Sequence, residues 1–436
     1  MKYDMEFFEH HWMPFTSNRD FKSDPRMVVR GEGVYLYSHE GERILDGSSG
    51  LFCCAAGHSR PEIAEAVYSQ LKELSYVAPF QLAQPLSFEL ARRIAALTPA
   101  GLDHVFFGNS GSEAVETAVK IAYAYHYARG EGQRHRFVSR ERAYHGVNLA
   151  GVSLSGMMKN RQAFGPGLPG VVHMRPTWVP ENRFVKGQPE TGMELAEDLE
   201  RLAQQLGPDT IAACIVEPVA GSTGCLVPPK GYLDRLREIC DGHGIVLIFD
   251  EVICGFGRLG TAFGADAFGV IPDIMTMAKA LTNAAQPMGA VAVSNKIHGT
   301  ITASAVDGAI ELFHGYTCSA HPAACAAGIA TLDIFEKEKL IERAADLSGY
   351  FLEQIFALSD IAMITDIRGY GLFAGFDLEP GEAPGVRGLD FQKRLYRNGL
   401  HLKMTGDAGL VAPPLISEKR HIDRLCDILR RTLADY

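Results

Sequence analysis

"HVFFGNSGSEAVETAVKIAYAYHYA", residues 104–128, decides the fold class. Its first four residues form an apolar run of strand length, "GNSGS" breaks that run, and "EAVETAVKIAYAYHYA" places its apolar residues at helical spacing. A strand that passes straight into a helix is half of a β–α unit, and the pattern returns downstream. "IAACIV" (211–216) and "IVLIFD" (245–250) are apolar strand candidates, and "YLDRLREICDGHG" between them is helical, with Gly242 as the expected C-cap. "DIMTMA" (273–278) and "GAVAVS" (289–294) add two more strands. Alternation of this kind marks an α/β fold with a large, mostly parallel sheet. Residues 61–320 are expected to form that large domain.

The ends of the chain read differently. "GVYLYSHEGERILDG" (33–47) is a hairpin pattern turning at His39-Glu40-Gly41. Beyond about 325 come long helices, "RGYGLFAGFDL", a short helix at 388–398, "GLVAPPLI" and a last helix from about 419. This α+β segment and residues 1–60 are expected to make a smaller domain together. Residues 380–388, "PGEAPGVRG", are the expected mobile surface loop.

Composition narrows the function classes. The 436 residues are 47% hydrophobic and 22% charged, with a formal charge of −10 and no basic block, which argues against nucleic acid as a partner. No apolar run approaches the roughly 18 residues that span a bilayer. "MKYDMEFFEHHWMPF" has acids and histidines where a signal peptide would have an apolar core, so a cytoplasmic protein is expected. Nine cysteines without a C-x-x-C pair fit reduced, packed thiols. His10 and His11 lack a spaced third ligand, and no metal site is expected.

Three stretches carry chemistry. In "FFGNSGSEAVETA" the helix start offers free N–H groups and the positive end of its dipole, and Ser110, Gly111 and Ser112 can donate to a phosphate. The plainer reading is a well-capped helix with Ser112 as N-cap. In "IVLIFDEVICGFGR" a buried strand delivers Asp250 and Glu251 at its carboxyl end, and Glu217 in "IVEPVAG" has the same placement after another strand. Asp250, continuing the apolar run, needs a cationic or hydrogen-bonding partner, although a structural carboxylate would also fit. Lys279 sits in an otherwise uncharged run of thirteen residues, Ile274 to Gln286, just past a strand. A lysine in surroundings of low polarity loses basicity and becomes a nucleophilic amine, whereas most lysines merely bury the stem and keep the head in water. Three strand ends converging favour the amine.

Phosphate anchor, aspartate and lysine together are what pyridoxal phosphate requires: the aspartate keeps the pyridine nitrogen protonated, and the lysine binds the aldehyde and then shuttles the proton. Tyr144 in "ERAYHGVN" supplies an aromatic for the ring.

These stretches, in order, resemble those of class III (ω-) aminotransferases, of the fold type I pyridoxal phosphate enzymes. The resemblance rests on "NSGSEAVETAVK", "YHG", "IVEPVAGSTG", "IFDEVICGFGR", "PDIMTMAKALTN" and "HGYTCSAHP". "HWMPFTSNRDF" and "GLFCCAAGHSRPEI" are similar to the β-alanine (ω-amino acid):pyruvate branch. The resemblance implies a phosphate cup of Ser110, Gly111 and Ser112. It implies Tyr144 and Val252 on the two ring faces, with His145 among the cofactor-binding residues. Asp250 would serve the ring nitrogen, Glu217 would lie near the substrate side, and Lys279 would be the Schiff-base lysine. Thr317 would reach the phosphate of a neighbouring subunit, so the partner is a second copy of the chain, in a homodimer with shared sites or a tetramer of such dimers. The implied activity is a two-step transfer through pyridoxamine phosphate, from an ω-amino acid or primary amine to pyruvate. A transaminase for another amine (taurine, a polyamine, an aryl amine) and a racemase, aminomutase or decarboxylase on the same frame stay open. So does a non-catalytic phosphate-ligand binder.

Two positions depart from the family pattern. Where carboxylate-binding members often have arginine, "GLVAPPLI" has Leu410 and "HLKMTGD" has Lys403, a point charge without the bidentate fork. Either Lys403 or Arg161 is the expected carboxylate anchor. Ala284 follows Asn283 where the branch commonly has glycine. Trp12, Phe52 and Phe80 are the aromatic candidates for the substrate pocket, with Phe15 behind them.

Overall fold

The structure, a computed structural model, describes residues 5–436. Its centre is a seven-stranded sheet in the order His104–Gly108, Gly289–Val293, Ile274–Met277, Val246–Asp250, Ile211–Val216, Arg136–Arg140, Val171–Met174. Gly289–Val293 runs antiparallel to both neighbours, and the remaining pairs are parallel. Ile211–Val216 and Val246–Asp250 are buried at every residue, as strands covered on both faces must be.

The connecting helices follow the apolar periodicity, with two shifts at their ends. Tyr232–His243 closes on Gly244, whose φ of 66° is left-handed. Gly242 stays inside the helix, because a C-cap glycine is required where φ turns positive, not at the first glycine met. Gly111–Ala128 begins on Ser110, whose Oγ accepts from Glu113 N at 3.2 Å. Ser110, not Ser112, is therefore the N-cap, and the Ser112 hydroxyl is left for other work.

Hairpin Tyr35–Ser38/Arg43–Asp46 turns where the sequence places it. Val28–Glu32 flanks it on one side and Leu400–His401 pairs with it in parallel on the other, so both ends of the chain share one sheet. A third sheet orders Ile364–Tyr370, Phe373–Leu378, Ala408–Val411 and Lys403–Thr405, all antiparallel. The segment 380–388 is only partly a loop: Val386–Arg397 is helical, and Gly388 is buried where an added Cβ would sit 1.9 Å from Gly406 O. Among the described residues no helix is long and apolar enough to cross a membrane.

Candidate active site

Five strands of the central sheet point their carboxyl ends the same way, and chemistry-bearing residues follow each of them. Gly108 leads to Ser110, Arg140 to Tyr144, Val216 to Glu217, and Met277 to Lys279, while Asp250 is itself a strand end. Ligands of open α/β sheets sit along this edge. A cavity of about 310 Å³ opens there, at the lower end of the size range of small-molecule sites. Ser110, Gly111, Ser112, Tyr144, His145 and Glu217 line it, and Asp250, Val252 and Lys279 complete the set.

The helix start is held open by its own side chains. Glu113 accepts from Asn109 N and Nδ2 at 2.7 and 2.8 Å, and Ser112 Oγ accepts from Val147 N at 3.0 Å. The N–H groups of Gly111 and Ser112 have no carbonyl within the helix to reach. Close approach of backbone is needed twice. A Cβ on Gly146, where φ is 96°, would lie 2.6 Å from Ser112 Oγ, and one on Gly289 would lie 2.1 Å from Ser110 O. Gly289→Ala should therefore push its strand off the loop at a cost of about 1–3 kcal/mol. A thermal melt checks this, and an unchanged midpoint would mean the contact has slack.

Asp250 is nearly buried and fully engaged on the protein side. Its Oδ2 meets His145 Nδ1 at 2.8 Å, while Oδ1 accepts from Val252 N at 3.2 Å and from Thr276 Oγ1 at 3.1 Å. His145 is buried, and its Nε2 has no partner. Glu217 accepts from Tyr144 N at 3.1 Å and Gly221 N at 2.8 Å, fixing the Tyr144 loop. Burial raises its carboxyl above the ordinary range, and Asp250 adds to the effect against the pull of His145. Burial also raises the Tyr144 phenol, with Asp250 and Glu217 reinforcing it.

Lys279 begins a short 3₁₀ turn at φ 49°, a left-handed conformation uncommon for a side-chain-bearing residue. No hydrogen bond or ion pair holds its ammonium among the described residues. Burial lowers its basicity, and Asp250, Cys53 and Glu217 pull the other way. An amine without a partner, in a cavity that also holds a carboxylate and a helix N-terminus, is equipped to bind a carbonyl group covalently.

The substrate candidates are scattered. Phe52 is buried and packs on Phe373, with ring centroids 5.7 Å apart, while its neighbours Leu51 and Cys53 line the cavity instead. Backbone turns at Ser49, Gly50 and Phe52, all with positive φ, exchange the faces that a regular helix would present. Trp12 and Phe80 are exposed, the latter against Gly315, and Thr317 is exposed with its carbonyl accepting from Tyr76 OH at 3.1 Å. Arg161 lies beside His173, at 3.5 Å from its Nε2. Lys403 is half-buried on the Lys403–Thr405 strand, burial lowers its basicity, and no carboxylate pairs with it among the described residues. None of these six lines the cavity of the single chain.

In the segment after Lys279, sequence reasoning singles out Ala284 for its departure from the family pattern and names no other residue for the site, yet Thr282, Ala284, Gln286, Pro287 and Met288 all line the cavity. A signal existed in "TNAAQP", a turn-rich run following the lysine. Asn283, at φ 52°, anchors that run: its Oδ1 accepts from Ala56 N at 2.9 Å and its Nδ2 donates to Gly57 O at 2.7 Å. Ala284 also has positive φ, at 56°, where the family's glycine would be unstrained.

This fold and this cluster are those of a fold type I aminotransferase, and the chain belongs to the class-III aminotransferase family, whose profile matches residues 16–433. It is 52% identical to an omega-aminotransferase of Caulobacter vibrioides, with 97% of each chain covered. Its identity to a beta-alanine–pyruvate aminotransferase of Pseudomonas aeruginosa is 46%, over 97% of this chain and 95% of the other. An omega transaminase of Pseudomonas jessenii, solved in complex with PMP, superposes with a TM-score of 0.93 at 33% identity, covering 99% of this chain and 97% of the other.

Proposed function

We propose that this aminotransferase binds pyridoxal phosphate at the strand-end cavity and moves an amino group from a β-alanine-like ω-amino acid, or a primary amine, to pyruvate. The observation that carries the reading is Lys279: an unpartnered, desolvated amine sharing a cavity with the Asp250 carboxylate and the helix N-terminus. The donor set fits the cofactor, since cavity size, unpaired amine, anion-binding helix start and buried carboxylate are each what it demands. When bound, pyridoxal phosphate supplies an aldehyde for amines and an electron-accepting ring. The choice of β-alanine and pyruvate is supported by the names of two relatives, the beta-alanine–pyruvate aminotransferase already described and an omega-amino acid–pyruvate aminotransferase of Pseudomonas putida.

In this reading the Gly111 and Ser112 N–H groups and the Ser110 and Ser112 hydroxyls hold the phosphate. Tyr144 and Val252 confine the ring from its two faces, and His145 orients the carboxylate that serves the ring nitrogen. Glu217, saturated by two N–H groups, keeps Tyr144 in place. Lys279 Nζ would take the proton from the donor carbon and return it, which requires the neutral amine that burial favours. Thr317 would complete the phosphate site from the second chain of a homodimer. Residues 61–320 would form the cofactor domain, and 1–60 with 325–436 the smaller one.

Amine donor alone, added to the pure holoenzyme, should release one equivalent of carbonyl product per site, and pyruvate added afterwards should yield one equivalent of alanine. Product formation without that stoichiometry, or none at all before pyruvate, would remove the aminotransferase cycle and favour the racemase, aminomutase or decarboxylase frame. A panel of β-alanine, taurine, putrescine and an aryl amine ranks the donors. In the same panel Lys403→Ala should raise the KM for pyruvate by about tenfold, the worth of one charge-assisted hydrogen bond. An unchanged KM would take Lys403 out of the site and leave Arg161 to be tested the same way.

A further inference from the structure

The consecutive thiols Cys53 and Cys54 have no part in the reaction described above. Of the nine cysteines, six are buried, Cys318 is exposed, and these two are partly exposed. The N–H groups of Cys53 and Cys54 both donate to Ser49 O, at 2.9 and 3.0 Å, so the backbone curls back on itself at this pair. In an extended chain the two side chains would point to opposite faces. Here both sulfurs converge on Gly50: a Cβ added there would lie 3.7 Å from Cys53 Sγ and 3.6 Å from Cys54 Sγ. Gly50 takes a φ of 67°, a left-handed turn that places both sulfurs in ordinary contact range of this one position.

Cys53 also lines the cavity that contains Lys279. The Cys54 thiol beside it and the Leu51 backbone hold the Cys53 thiol below its ordinary range against the effect of burial, while Cys54 is pushed above it by Cys53 and burial. The pair therefore favours loss of the proton from Cys53 over Cys54, the bias that thiol oxidation chemistry needs.

We propose that Cys53 and Cys54 form a peroxide-reactive dithiol in the wall of the cofactor cavity, which oxidation closes to a vicinal disulfide. The Cys53 thiolate attacks one oxygen of hydrogen peroxide and the O–O bond breaks. Hydroxide leaves and takes up the proton that Cys53 gave up, forming water and a sulfenic acid on Cys53. The Cys54 sulfur then attacks the Cys53 sulfur, the S–O bond breaks, and the hydroxyl departs as a second water with the Cys54 proton. Two thiols lose two electrons and one peroxide becomes two waters. Closure to a bonded pair, about 2.05 Å apart, ties Cys53, a residue of the cavity wall, to Cys54 and fixes the wall beside Leu51. Transamination should fall with it and return on reduction.

The test treats the holoenzyme, carrying Cys318→Ser so that the exposed thiol cannot consume oxidant, with stoichiometric hydrogen peroxide and maps the peptides by mass. The expected product is a peptide containing both residues and lighter by two hydrogens, formed in parallel with a loss of activity that dithiothreitol reverses. With Cys54→Ser added, oxidation should stop at a sulfenic acid on Cys53 that dimedone traps, whereas Cys53→Ser should yield no adduct on Cys54. The mass readout does not depend on the substrate assignment. Sulfinic acid on Cys53 without a disulfide, oxidation elsewhere first, or no oxidation would overturn the proposal. So would a disulfide that leaves activity unchanged.

Discussion

Lys279→Ala is expected to lower turnover by at least about a thousandfold, because in the proposed reaction Lys279 is both the amine that binds the aldehyde and the base that moves the proton, and proton transfer alone is worth 10²–10⁴. The fold should survive. No hydrogen bond or ion pair holds the ammonium among the described residues, and burial already disfavours its charge, so its removal leaves no buried group unpaired. The decisive comparison sets turnover beside the thermal midpoint of the cofactor-free protein. Turnover within tenfold of wild type would end the assignment of Lys279 as the reactive amine, whereas a collapse of the midpoint would show that the left-handed turn at Lys279 depends on the lysine stem.

Asp250→Asn should be the second largest change, a loss of about a hundredfold to ten-thousandfold in turnover. The amide is nearly the same size, and its oxygen can still accept from Val252 N and Thr276 Oγ1. That orientation turns Nδ2 toward His145 Nδ1, where a donor now faces the ring nitrogen that met carboxylate oxygen before. His145 must then accept at Nδ1 and carry its proton on Nε2, the atom that has no partner. The variant thus loses the negative charge that, in the proposed reaction, keeps the cofactor nitrogen protonated, and it changes the tautomer of the residue behind it. Steady-state kinetics with the preferred donor checks the effect. Turnover within threefold of wild type would show that the charge of Asp250 does not enter the reaction.

Much of the architecture was legible in the chain. Strands such as Ile211–Val216 and Val246–Asp250 are uninterrupted apolar runs because both faces of the sheet are covered, and that leaves a mark in sequence. Lys279 and Asp250 were legible for the complementary reason that a charge in an apolar run costs free energy and asks for a function. The cap residues were less so: Ser110 and Ser112 are equally good capping types, and only backbone geometry distinguishes the N-cap from a residue inside the first turn. Gly242 and Gly244 differ in the same way.

By itself the sequence determined the alternation of strand and helix, the strand ends that carry charge, and the membership in a family of aminotransferases. Those properties depend on local composition and on distances along the chain, which the order of residues records directly. Tertiary structure alone decided that Cys53 rather than Phe52 faces the cavity, and that the sulfurs of Cys53 and Cys54 both turn toward Gly50. It also decided that Lys403 stands half-buried without a carboxylate beside it, and that the segment after Lys279 closes the site through Asn283. Each of these turns on positive backbone angles or on contacts between residues hundreds of positions apart, and neither is encoded in the periodicity of side chains.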